Sequence, residues 1–148
     1  MSGKICEWHV GALFDSNDTK ENLEEGKALF RMLIDELNEV IDPSYRLKII
    51  LETTTIQEWQ DALEKGSLDL CLMYCMNPVC EQIILNTPRA SYIQFVYIAG
   101  LFDSMLDKKL KEADNFFEVK LDVEGSIIKG LNEVGFGFHQ IVEKENVI

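Results

Sequence analysis

A chain of 148 residues, 47% hydrophobic and 27% charged, has the make-up of one globular domain, long enough to fill a core without disulfide or metal staples. Its 26 acidic residues against 14 basic ones give a formal net charge of −12. That balance repels polyanions, which argues against nucleic acid as the main partner and against an anionic membrane surface, because both are held by clustered Lys and Arg.

Residues 6–14 read as a first strand, ending in Gly11-Ala-Leu-Phe-Asp15, and the polar run 16–21 reads as a turn. A helix follows, in which Leu23, Leu29, Phe30, Leu33, Ile34, Leu37, Val40 and Ile41 recur at helical spacing. Asp42-Pro43 ends it, since proline pushes the residue before it out of helical geometry. Residues 46–52 (R-L-K-I-I-L-E) read as a second strand. Thr55 and Glu58 have capping-box spacing ahead of the stripe Ile56, Trp59 and Leu63, and Lys65-Gly66 closes that helix with a left-handed cap. Residues 68–74 are apolar enough for a central strand buried on both faces. Residues 78–85 form a short helix with proline in its first turn, and 91–98 a fourth strand. The stretch 100–115 is ambiguous, with Leu101, Met105, Leu106 and Leu110 at helical spacing beside a charged run. A strand at 116–121, a helix at 124–134 and a strand at 135–142 complete the order.

Such alternation predicts an α/β fold: a single three-layer α-β-α domain over 1–148, Rossmann-like or flavodoxin-like, with a mainly parallel, doubly wound sheet and right-handed crossovers. Ligands of these sheets bind beyond the carboxyl ends of the strands. Asp15, Ser16, Thr53, Thr54 and Asn77 therefore make up the candidate ligand-binding edge.

No motif along this edge carries chemistry. The first strand–helix turn reads F-D-S-N-D-T, which lacks the glycines of a dinucleotide fingerprint or P-loop and would repel phosphate. A G-x-S-x-G nucleophile elbow is also missing. Asp15 and Asp18 invite comparison with the acidic pocket of a receiver domain, but the third strand ends in Leu72-Met-Tyr-Cys75, without the carboxylate that chemistry needs. Cys71, Cys75 and Cys80 cluster in sequence, yet zinc wants a second pair or two histidines, and His9 and His139 stand alone. They read as buried free thiols, with a Cys75 or Cys80 nucleophile as the rival reading. Asn17-Asp18-Thr19 is a glycosylation sequon. No catalytic residue, metal or cofactor is assigned. Met1-Ser-Gly-Lys leads into no apolar h-region, and no apolar run reaches the roughly 18 residues of a membrane span, so neither a signal peptide nor membrane insertion is expected.

Gly11-Ala-Leu-Phe-Asp15, the acidic loop, the helix through Leu29-Phe-Arg-Met-Leu-Ile34 and then Asn38 resemble the start of the amino-terminal domain of ionotropic glutamate receptors. The succession of later elements is similar too, with Cys80 where the third helix of that family commonly has a Cys. The resemblance implies the first lobe of a periplasmic-binding-protein-like clamshell: a non-catalytic protein-interaction and assembly module, extracellular, with a protein partner and homo-oligomer formation through its second and third helices. On that pattern the interface would use Ile56, Trp59, Gln60, Leu63, Cys80, Ile83 and Ile84. The family's disulfide cysteine on the second helix has no counterpart in Glu58-Trp-Gln-Asp-Ala62. The alternative is an intracellular flavodoxin-like or receiver-like domain without a phosphoacceptor, acting as a regulatory or adaptor protein.

Overall fold

The computed structural model describes residues 5–41, 43–99 and 107–120. The helix expected at 124–134, the strand expected at 135–142, His139 and residues 100–106 lie outside the described residues.

Five strands form one sheet: β1 (Cys6–Leu13), β2 (Tyr45–Thr53), β3 (Leu70–Met73), β4 (Gln94–Ala99) and β5 (Phe116–Lys120). Their spatial order is β2-β1-β3-β4-β5, and every pairing is parallel. This is the doubly wound, flavodoxin-like order, in which the winding reverses between β1 and β3. The connections carry α1 (Lys20–Val40), α2 (Ile56–Lys65), α3 (Pro78–Asn86), a 3-10 turn (Pro88–Tyr92) and the short α4 (Lys108–Lys111).

Side-chain alternation along the strands divides the core into two layers. On one face α1 lays Phe30, Leu33, Ile34 and Leu37 against Trp8, Val10 and Ala12 of β1 and Leu47 of β2. On the other, α2, α3 and α4 bring Trp59, Leu63, Cys80, Ile84 and Leu110 against Leu13, Cys71, Met73 and Phe95. β3 gives Leu70 and Leu72 to the first layer and Cys71 and Met73 to the second, as a central strand apolar on both faces must. Each large apolar side chain so enclosed contributes about 1.5–3 kcal/mol.

Three local details differ from the sequence reading, each for a local reason. The first helix begins at Lys20, because the Thr19 hydroxyl accepts the Asn22 N–H at 3.1 Å and so recruits part of the polar run into the helix. The second helix has Thr55 at its N-cap but no side-chain capping bond; the Thr53 hydroxyl takes the Thr55 N–H instead, at 3.0 Å, so the capping-box spacing is present and the box is not closed. The fourth strand starts at Gln94, since residues 88–92 turn through the 3-10 segment, where the Ser91 hydroxyl donates to the Pro88 carbonyl at 2.9 Å.

Two glycines are tied to close packing. Gly66 ends α2 at φ 68°, the left-handed cap read from the sequence, and the Arg89 side chain lies across it. At Gly11 a Cβ would come within 2.9 Å of both Leu68 methyls. β2 also carries a bulge: Val10 pairs with Ile49 and Gly11 with Leu51, leaving Ile50 as an extra residue.

Candidate functional site

The carboxyl ends of β1, β2 and β3 are drawn together by backbone bonds. The Phe14 N–H donates to the Thr53 carbonyl and the Tyr74 N–H to the Leu13 carbonyl, both at 2.8 Å. The five residues of the predicted ligand-binding edge gather around these ends, and most of their polar groups serve the turns they sit in. Asp15 accepts the Asn17 N–H at 2.9 Å, and Asn77 accepts the Cys80 N–H at 2.9 Å as the N-cap of α3. Thr53 is buried and holds the Thr55 N–H, Thr54 is half-buried, and Ser16 is exposed.

Just past the carboxyl ends of β1 and β3, at the strand reversal, pack aromatic rings that the sequence reading did not bring together. Phe14 and Tyr74 each follow directly on a strand end and stack at 4.8 Å with 13° between their planes. Phe30 of α1 meets both edge-on, at 6.1 and 6.2 Å. The Tyr74 hydroxyl is buried with no hydrogen-bond partner among the described residues, and burial raises its pKa. The signal for this cluster was the placement of an aromatic at the first position past both central strands. Beside it Arg31 of α1 grips Glu52 of β2 through two bonds, Nε to Oε1 at 2.8 Å and Nη2 to Oε2 at 2.7 Å. That bidentate bond, with the Glu52 charge behind it, raises the Arg31 pKa.

Burial, rather than an activating neighbour, dominates the thiols of Cys71, Cys75 and Cys80. Burial pushes Cys71 up to about 12, against a weaker opposing effect of the Trp59 indole N–H, which donates to its Sγ at 3.2 Å. Cys75 also rises to about 12, first through burial and then through Cys80 and Asp15. Cys80 is raised as well, burial again leading. A thiol at about 12 holds roughly one thiolate in 10⁵ at pH 7, far below what nucleophilic attack needs. All four cysteines are free, and among the described residues no three His, Cys, Asp or Glu side chains converge in a way that could hold a metal ion. His9 faces Glu7 at 3.1 Å on the exposed end of β1, away from the thiols' end of the sheet.

The predicted interface residues divide into two groups. Trp59, Leu63 and Cys80 are 0% exposed and Ile84 is 8% exposed; they face the sheet and present nothing to a partner. Gln60 and Ile83 instead line an open groove of about 560 Å³ between α2 and α3, together with Glu64, Val79, Gln82 and Asn86. Ile56 is half-buried at the start of α2. The sequence reading missed Val79, whose side chain is 57% exposed at the start of α3. Proline at position 78 begins α3 and fixes the valine on its outer side.

No helix among the described residues is long and apolar enough to cross a membrane. Comparison of the chain with family models, with curated proteins and with solved structures finds no match.

Proposed function

We propose that this domain is a non-catalytic assembly module that pairs with a second copy of itself through the outer faces of α2 and α3. The groove between those helices carries the reading. Its floor is apolar, through Val79 and Ile83, and its rim is built of the side-chain amides Gln60, Gln82 and Asn86. Among the described residues lining it, Glu64 alone is charged, on a chain of net charge −12. Two copies of so acidic a chain repel each other across most surfaces, and a nearly neutral apolar face is where that opposition is least. A catalytic role finds little support: Phe14, Tyr74 and Phe30 pack together at the strand reversal, and burial holds the thiols near it protonated. The same helices form the interface implied by the resemblance to receptor amino-terminal domains.

Sedimentation of the purified chain tests this reading. The expected result is a dimer that Val79→Glu converts to a monomer while the far-ultraviolet spectrum and thermal midpoint are kept. Trp59→Glu is the control: it buries a charge in the second core layer and unfolds the protein. A wild-type monomer at tens of micromolar, or a dimer indifferent to Val79→Glu, overturns the proposal. The monomer would favour the other reading, a flavodoxin-like regulatory domain, which the strand order β2-β1-β3-β4-β5 also supports.

A further inference from the structure

We infer that Asn17 is an acceptor for N-linked oligosaccharide, displayed on a turn that takes the sugar without rearrangement. Asn17-Asp18-Thr19 is the one Asn-x-Ser/Thr run in the 148 residues. It lies in the turn between β1 and α1, where every residue from 15 to 20 is exposed. The turn is held together by groups other than the acceptor amide. The Asp15 carbonyl accepts the Asp18 N–H at 3.2 Å, the Asp15 carboxylate accepts the Asn17 backbone N–H, and the Asp18 carboxylate accepts the Thr19 N–H at 2.9 Å and the Asn22 side-chain amide at 3.1 Å. The Asn17 side-chain amide itself makes no hydrogen bond among the described residues, so modifying it removes no bond that shapes the turn.

The position suits a bulky, solvated group for a second reason. The turn leads into α1, which covers the face of the sheet opposite to α2 and α3. A glycan at Asn17 therefore leaves the α2–α3 groove clear. Three of the four free thiols are shielded: Cys71 and Cys80 are 0% exposed, and burial keeps Cys75 protonated, while Cys6 is half-buried at the far end of β1. In the transfer, the Asn17 amide nitrogen bonds to C1 of the first sugar of an oligosaccharide carried on a polyprenyl pyrophosphate. The bond from C1 to the pyrophosphate oxygen breaks, the polyprenyl pyrophosphate leaves, and one amide proton is released.

The inference is tested by expressing the full chain behind a cleavable secretion leader in eukaryotic cells and measuring intact mass, in which leader removal reports entry into the lumen. Wild type and Thr19→Ser, which keeps both the sequon and a capping hydroxyl, are expected to carry one oligosaccharide; Asn17→Gln is expected to carry none. Enzymatic release should leave Asp at position 17. A leader-cleaved wild-type chain with unmodified Asn17 overturns the assignment, and a thermal midpoint lower for the glycosylated chain than for Asn17→Gln overturns the claim that the turn accommodates it. Mass reads the modification whether the chain is monomeric or dimeric, so this result and that of the dimer reading are separable.

Discussion

Asn38, about two turns past Arg31 on α1, spends both ends of its amide on one residue of β2. Its Nδ2 donates to the Leu47 carbonyl at 3.0 Å, and its Oδ1 accepts the Leu47 N–H at 2.7 Å. Removing the amide strands a half-buried donor and acceptor together, which costs about 1–3 kcal/mol. Asn38→Ala is therefore expected to lower the urea midpoint with no change in the slope of the transition. Tyr74 is the opposite case. Its hydroxyl is buried without a partner among the described residues, so Tyr74→Phe keeps the stack on Phe14 and removes an unmet polar group. The expected outcome is unchanged stability or a gain of up to about 1 kcal/mol, read from the same denaturation curves. Neither position could be valued from the sequence. Asn38 entered only as one residue of the family resemblance, and Tyr74 only as the end of an apolar run; what each touches depends on how α1 crosses the sheet.

Among the elements, the two N-caps make a contrast that one pair of substitutions can measure. Thr19→Ala removes a side-chain bond to the Asn22 N–H and is expected to cost about 1 kcal/mol, whereas Thr55→Ala removes no capping bond and is expected to cost a few tenths at most. The sequence reading weighted them the other way, because Thr55 has Glu58 three residues on and Thr19 sits in a run rich in turn formers. Spacing marks where a cap can form; whether it closes depends on the competing acceptor, here Thr53, supplied by the preceding strand. The elements themselves were legible where periodicity was strong. Each of the five described strands overlaps its expected range, and α1, α2 and α3 fall where the apolar stripes placed them. The short α4 and the 3-10 turn were not, since Leu110 and Ala90 each give only one buried anchor, too few to establish a period.

For the whole molecule, charge and buried thiols set the response to solution conditions. With a net charge of −12, association of two copies is opposed by long-range repulsion that salt screens, so if the proposed dimer forms, raising ionic strength from about 0.05 to 0.5 M is expected to tighten it, as read by sedimentation. Alkali acts through folding. An unfolded cysteine ionises near 9.0, while Cys71 in the fold holds its proton to about 12. Between those values the native state binds more protons than the unfolded state, and stability falls as pH rises through that window; below 9.0 both states are protonated and the contribution is fully present. Urea midpoints at pH 7 and pH 10 should show the decline, and Cys71→Ala should make it shallower, the remainder coming from Cys75 and Cys80. The overall architecture was readable because strand–helix alternation constrains topology strongly. The site was less so: periodicity assigns a residue to a face, but the aromatic cluster past β1 and β3 and the groove at Val79 arise where separate elements meet.

The extra residue at Ile50 has a consequence for how this strand tolerates change in length. Before it, Tyr45, Leu47 and Ile49 point toward α1; after it, Leu51 turns to the α2 side and Glu52 comes round to meet Arg31. The strand is thus written in two reading frames joined at one isoleucine. Deleting Ile50 would set Leu51 directly after Ile49, so strict alternation would keep Leu51 on the α2 side and Glu52 toward Arg31; flattening the bulge with every residue kept would instead turn Leu51 to the α1 side and carry Glu52 away from its cation.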